Sequence, residues 1–104
     1  MFTLEDLAEI VDRRADASAE NSYTRSLLDK GPAHCARKFG EEAIELTVAA
    51  AAQDDAAVRS EAADVLYHLM VLLRARGVTF PSVVRELESR TRQSGHEEKA
   101  ARKG

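Results

Sequence analysis

Long runs of helix-forming residues constrain the fold of this chain more than any other feature of its sequence. Two prolines and five glycines punctuate the chain, and alanine, leucine, glutamate and arginine dominate between them. No segment shows the alternation of apolar and polar residues that is typical of a half-buried strand. The sequence therefore predicts an all-α fold. Its 104 residues suffice for one compact domain, which we place at residues 1–93, followed by a charged, flexible tail at residues 94–104.

Capping residues and helix breakers divide the chain into five predicted helices. Thr3 and Asp6 match a capping box, and Gly77 supplies the positive-φ residue that commonly ends a helix. The predicted helices run from Thr3 to about Asp16, from Ser22 to Lys30, from Pro32 to about Gln53, from Asp54 or Asp55 to Arg76, and from about Pro81 to Arg92. Because a short turn joins the two longest helices, we expect them to form an antiparallel hairpin at the centre of a helical bundle.

Acidic residues interrupt both long helices, which are otherwise the most apolar parts of the chain. Glu41, Glu42 and Glu45 lie in the first helix, and Glu61 and Asp64 lie in the second. Each set shares a helix face, where like charges repel one another. In an antiparallel hairpin the two faces can meet and form a pocket lined by carboxylate oxygens, which Mg²⁺ prefers and which suits a metal–triphosphate complex. The simpler interpretation, a solvated acidic face, explains less well why both apolar helices carry the acids.

Basic side chains close to these acids are candidates for phosphate binding. Lys38 shares the acidic face and either contacts phosphate or forms a salt bridge with Glu41 or Glu42. His68 lies one turn after Asp64 and either contacts substrate or a carboxylate, or is simply a satisfied, partly buried histidine. The other candidates, for each of which a solvated surface cation is the simpler interpretation, are Arg25, Lys30, Arg37, Lys99, Arg102 and Lys103.

Charge and cysteine content exclude several other classes of function. The net charge is −3, so binding to nucleic acid or to an anionic membrane is not expected. A lone Cys35 cannot form an internal disulfide, and the scattered His34, His68 and His96 lack the ligand spacing of a zinc site. No stretch approaches the ~20 apolar residues of a membrane span, and the acidic segment 1–10 does not read as a signal peptide. We therefore expect a cytoplasmic protein.

Several segments resemble known families of hydrolases. The EExxE motif at residues 41–45 and the ExxD motif at residues 61–64 resemble the signature of the MazG-like all-α nucleoside triphosphate pyrophosphohydrolases. The segments SYT at residues 22–24, KFGEE at residues 38–42 and ADVLYHL at residues 63–69 narrow this resemblance to the phosphoribosyl-ATP pyrophosphatases. The resemblance extends over roughly residues 2–92. Phe39 departs from the pattern where an aliphatic residue is more usual, and this apolar exchange does not weaken the assignment.

This resemblance implies a specific reaction and a set of site residues. The reaction is hydrolysis of the α–β phosphoanhydride of phosphoribosyl-ATP to phosphoribosyl-AMP and pyrophosphate, the second step of histidine biosynthesis. Glu42, Glu45, Glu61 and Asp64 are the implied Mg²⁺ ligands, and Glu41 either completes the shell or orients the attacking water. A homodimer is also implied, as is a possible functional link to phosphoribosyl-AMP cyclohydrolase.

The sequence is also compatible with two other functions. A housecleaning (d)NTP pyrophosphatase of the same superfamily would share the fold, the metal and the bond that is cleaved. A non-catalytic helical dimerisation module would carry the same acids as surface residues paired with arginines. The first alternative differs from the implied reaction in its substrate, and the second predicts that removal of the acids is harmless.

Overall fold

The computed structural model describes residues 1–92, and this part of the chain consists of five helices without any strand. The helices are α1 (Leu4–Ala15), α2 (Tyr23–Asp29), α3 (Pro32–Ala52), α4 (Asp55–Arg76) and α5 (Phe80–Thr91). The predicted all-α fold is therefore confirmed, and each predicted helix boundary lies within about one residue of the observed one. Residues 94–104, for which we predicted a flexible tail, lie outside the described part.

Local hydrogen bonds explain where the helices begin and end. Thr3 and Asp6 form both halves of the predicted capping box, with the Asp6 amide donating to Thr3 Oγ1 over 3.1 Å and the Thr3 amide donating to Asp6 Oδ2 over 2.9 Å. Asp54 is the residue that caps α4, because its carboxylate accepts a 2.9 Å hydrogen bond from the Ala57 amide. Gly77 ends α4 with a φ of 70°, as predicted.

An aliphatic core joins the first four helices. Val11 of α1, Leu27 of α2 and Cys35 of α3 pack with Met70 and Val71 of α4. Among the described helices, α3 and α4 have the most extensive mutual contact, whereas α5 buries no residue. The α3–α4 pair is therefore the framework on which the acidic residues are carried, and α1 and α2 pack against it.

Part of the α3–α4 surface is apolar but uncovered. Ile44 of α3 is 65% exposed and Val48, one turn later, is 51% exposed, while Leu66 of α4 is 38% exposed. Ile44 and Val48 lie on one helix face because residues four apart are neighbours along a helix. The single chain therefore leaves apolar surface in water at its two central helices. Within residues 1–92, no helix is both long and apolar enough to cross a membrane.

Candidate active site

Three carboxylates from the two central helices meet in one cluster. Glu42 and Glu45 of α3 and Glu61 of α4 each place one oxygen within 4.8 Å of the others. Glu42 and Glu61 are half-buried and Glu45 is exposed. The structure thus brings the predicted acidic stripes of α3 and α4 together.

The other two predicted acids occupy the surroundings of this cluster. Asp64 is exposed and stands outside the group of three, but its negative charge contributes to raising the pKa of both Glu42 and Glu61. Glu41 is turned toward cations, since Lys38 Nζ lies 3.3 Å and Arg37 Nε 4.0 Å from its carboxylate oxygens. Asp64 is therefore an electrostatic neighbour of the cluster, whereas Glu41 lies at its cationic edge.

Burial and mutual repulsion make ionisation of the cluster unfavourable. Burial raises the pKa of Glu42, and a hydrogen bond with Glu45 together with the charges of Glu45 and Asp64 raises it further. Burial is also the main cause of the raised pKa of Glu61, followed by the charges of Glu45 and Asp64. Clustered carboxylate groups that repel one another are stabilised by a cation that binds all of them.

Two carboxylate oxygens in the cluster lack any hydrogen-bonding partner. They are Oε2 of Glu42 and Oε2 of Glu61, and both are buried. Buried polar atoms in folded proteins nearly always have a partner, and an unsatisfied one points to an ion or water. Carboxylate oxygens are the donors that hard divalent cations prefer. The donor set and its two orphaned oxygens therefore fit a divalent metal ion.

The raised pKa values predict how the metal-free protein responds to pH. A carboxyl group whose pKa is higher in the folded chain than its ordinary value of 4.5 contributes stability that is present below pH 4.5 and is lost as the pH rises through the raised value. Glu42→Gln should therefore exceed the wild type in free energy of unfolding at neutral pH in EDTA, by about 0.5 kcal/mol or more. Urea unfolding of both proteins at neutral pH and near pH 4.5 checks this prediction, and the difference should shrink at the lower pH. A Glu42→Gln variant that is less stable than the wild type at neutral pH in EDTA would contradict it.

Lys38 and His68 border the cluster on one side. The hydrogen bond that Lys38 donates to Glu41 is the main cause of its raised pKa, so this amine is charged at neutral pH. His68 is buried, and its Nε2 lies 4.0 Å from Glu42 Oε1. Burial is the main cause of the lowered pKa of His68, with the charge of Lys38 adding to it, which favours the neutral imidazole. The structure therefore pairs Lys38 with Glu41, which is one of the two roles that the sequence left open for it, and places a buried His68 close to Glu42.

The remaining basic candidates differ in what their side chains contact. Arg25 ties α2 to the end of α1, because its guanidinium donates to Asp29 and to the Ala15 carbonyl, the latter over 3.0 Å. Lys30 is exposed at the end of α2, and Arg37 reaches Glu41 from the outer face of α3. The tail residues Lys99, Arg102 and Lys103 lie outside the described residues.

Sequence reasoning missed a hydrogen-bonded aromatic group next to the cluster. The Thr24 side chain is fully buried, and its hydroxyl is hydrogen-bonded to the Tyr67 hydroxyl over 2.5 Å. The Tyr67 ring also contacts the rings of Tyr23 and His68. The SYT and ADVLYHL segments carried the family resemblance, but nothing in the sequence alone indicated that their side chains meet.

Comparison with known proteins identifies the family. The fold and the acidic cluster together are typical of the MazG-like all-α pyrophosphohydrolases, and the model of the phosphoribosyl-ATP pyrophosphohydrolase family matches residues 4–91. A phosphoribosyl-ATP pyrophosphatase of Azorhizobium caulinodans is 63% identical over 96% of this chain and 92% of its own length. A relative in Rhodopseudomonas palustris, named phosphoribosyl-ATP pyrophosphatase 1, is 57% identical over 98% of this chain and 95% of its own length. The chain belongs to the phosphoribosyl-ATP pyrophosphohydrolase family.

Proposed function

We propose that this chain hydrolyses phosphoribosyl-ATP to phosphoribosyl-AMP and pyrophosphate, the second step of histidine biosynthesis. Family membership and the names of its relatives support the substrate. The structural observation that carries the proposal is the cluster of Glu42, Glu45 and Glu61. Two buried carboxylate oxygens of this cluster lack a hydrogen-bonding partner. Such a site is suited to a metal–triphosphate complex, because Mg²⁺ shares its coordination between protein carboxylates and substrate phosphates.

The proposed cofactor is Mg²⁺, held by Glu42, Glu45, Glu61 and Asp64. When bound, it would neutralise triphosphate charge, polarise the phosphoryl group and make water a better nucleophile. The chain holds the four carboxylates on two packed helices, which fixes the reacting groups relative to one another. A carboxylate of the site accepts the proton of the attacking water. Glu41, whose carboxylate is paired with Lys38 and Arg37, either completes the metal shell or orients the attacking water.

Lys38 is the proposed phosphate contact among the described cations. Its ammonium group borders the cluster and lies 3.3 Å from the exposed carboxylate of Glu41. Because this ion pair is exposed, a phosphate oxygen can replace Glu41 as the partner of Lys38. His68 is proposed to hold Glu42 or to contact substrate from its buried position. Lys30 and Arg37 remain weaker candidates at the surface, and Arg25 is occupied by contacts within the fold. Phosphate binding by the tail cations Lys99, Arg102 and Lys103 stays a prediction.

We propose that α3 and α4 run antiparallel and that two copies of the chain complete the bundle. The two-residue connection between the helices and their extensive contact support the hairpin. The exposed Ile44, Val48 and Leu66 support a homodimer, since a second copy would remove this apolar surface from water. A cytoplasmic location, the absence of nucleic-acid binding and a link to phosphoribosyl-AMP cyclohydrolase stay predictions.

A substrate comparison tests the proposal. Pyrophosphate release is measured with Mg²⁺ from phosphoribosyl-ATP and, in parallel, from ATP, dATP, dCTP and dUTP. We expect phosphoribosyl-ATP to give the highest kcat/KM by a wide margin. Preference for an ordinary nucleotide would move the chain to the housecleaning pyrophosphatases, and inactivity on every substrate would favour a dimerisation module.

A further inference from the structure

The SYT segment fixes an exposed aromatic ring between two anchored neighbours. The Ser22 side chain donates a 3.0 Å hydrogen bond to the Arg14 carbonyl and accepts a 3.1 Å hydrogen bond from the Arg25 amide. Thr24, on the other side, is fully buried and bonded to Tyr67. Tyr23 between them is 58% exposed. Because both neighbours are held, the exposed ring is presented from a defined position, and its contact with a ligand would cost little ordering entropy.

The Tyr23 ring lies one side chain away from the acidic cluster. Its centroid is 6.5 Å from that of His68, with the two rings at 89°, and His68 Nε2 is 4.0 Å from Glu42 Oε1. On its inner side the ring stacks on Tyr67 at a centroid distance of 6.4 Å and an angle of 18°. An exposed aromatic surface therefore flanks the place where we position the triphosphate.

We propose that Tyr23 is a specificity-determining residue whose ring stacks on the purine base of the nucleotide substrate. This inference rests on the proposed function, because it places the base relative to a triphosphate at the Glu42–Glu45–Glu61 cluster. A nucleotide carries its base beyond its sugar, so a molecule bound by its phosphates at the cluster extends its base along the protein surface. Purines present a flat π-face, and stacking on an aromatic side chain strengthens binding roughly tenfold to hundredfold.

The kinetics of two Tyr23 variants distinguish the contribution of the aromatic ring from that of its hydroxyl. Tyr23→Leu should raise KM for phosphoribosyl-ATP about tenfold or more with little change in kcat, whereas Tyr23→Phe should stay near the wild type because it keeps the ring. Phe2→Leu is the matched control, since Phe2 is a 65% exposed aromatic residue before α1. An unchanged KM in Tyr23→Leu would overturn the proposal, as would equal impairment of Tyr23→Phe and Tyr23→Leu.

Tyrosine fluorescence provides a readout that does not depend on turnover. The chain contains two tyrosines and no tryptophan, so Tyr23 and Tyr67 give its strong emission, and Tyr23→Phe leaves only Tyr67. With Mg²⁺ present, AMP should quench the emission of the wild type, in which the hydrogen bond between Thr24 and Tyr67 is intact, and should affect Tyr23→Phe much less. Pyrophosphate, which lacks a base, should leave both largely unchanged. Equal quenching of the wild type and of Tyr23→Phe, or no quenching of the wild type, would contradict stacking on Tyr23.

Two further results distinguish a failure of the Tyr23 proposal from a failure of the proposed function and from a role of Tyr23 in the dimer. A wild type that does not release pyrophosphate from phosphoribosyl-ATP would refute the proposed function, whereas an active Tyr23→Leu with a normal KM would refute only the role of Tyr23. Sedimentation of Tyr23→Leu tests whether the ring is a subunit contact. Conversion of this variant to a monomer with the wild-type KM would assign Tyr23 to the subunit interface and overturn base stacking.

Discussion

Replacing Glu45 with glutamine is expected to slow pyrophosphate release about a hundredfold or more while leaving the helical fold intact. Glu45 interacts electrostatically with both other members of the cluster, because it contributes to the raised pKa of Glu42 and of Glu61. The amide keeps the shape of the side chain but removes its negative charge, which weakens both metal binding and proton acceptance. The measurement is kcat/KM for phosphoribosyl-ATP, with circular dichroism to monitor the fold.

A matched substitution separates this effect from a general loss of negative charge. Glu20→Gln makes the same change at an exposed glutamate in the loop between α1 and α2, and it should retain full activity. Removal of repulsion should also leave metal-free Glu45→Gln at least as stable as the wild type. Full activity of Glu45→Gln would contradict the proposed catalytic role of the cluster and would favour the dimerisation module.

Replacing Ile44 with glutamate is expected to separate the proposed homodimer into monomers. Ile44 is 65% exposed on the single chain, and it lies one turn from the exposed Val48, so a charge at this position would be buried without a partner in the dimer. Sedimentation analysis should give the wild type twice the 11.4 kDa mass of the chain and the variant a single chain mass. Lower helicity or a lower Tm should accompany dissociation.

The control for this change introduces the same charge on a different helix. Leu4 is a 41% exposed apolar residue in the first turn of α1, where a negative charge is favourable. Leu4→Glu should therefore remain dimeric. A wild type that sediments as a monomer, or an Ile44→Glu variant that remains dimeric, would contradict the proposed interface.

The helices could be predicted closely because their ends depend on local signals. The Thr3–Asp6 capping box, the Asp54 cap and the positive φ of Gly77 each act within one turn of chain. These signals do not depend on how the helices pack together. The same locality explains why the sequence left the choice between Asp54 and Asp55 open, since either side chain can cap a helix and only the hydrogen bond to Ala57 distinguishes them.

The candidate site could be predicted only in part, because periodicity defines a helix face but not the neighbours of each side chain. It placed Glu42, Glu45 and Glu61 on faces that meet, as the structure shows. It did not distinguish these three from Glu41, which turns toward Lys38. The contact between Thr24 and Tyr67 joins residues 43 positions apart, and such contacts follow from tertiary packing rather than from any local pattern.

Dependence of pyrophosphate release on Mg²⁺ is the most direct test of the proposed metal site. The wild type is freed of metal with EDTA, given phosphoribosyl-ATP, and then titrated with Mg²⁺ in excess of the chelator. We expect no release above background in EDTA and a saturable recovery of activity with added Mg²⁺. Undiminished release in excess EDTA would contradict a metal site at Glu42, Glu45, Glu61 and Asp64 as the basis of the reaction.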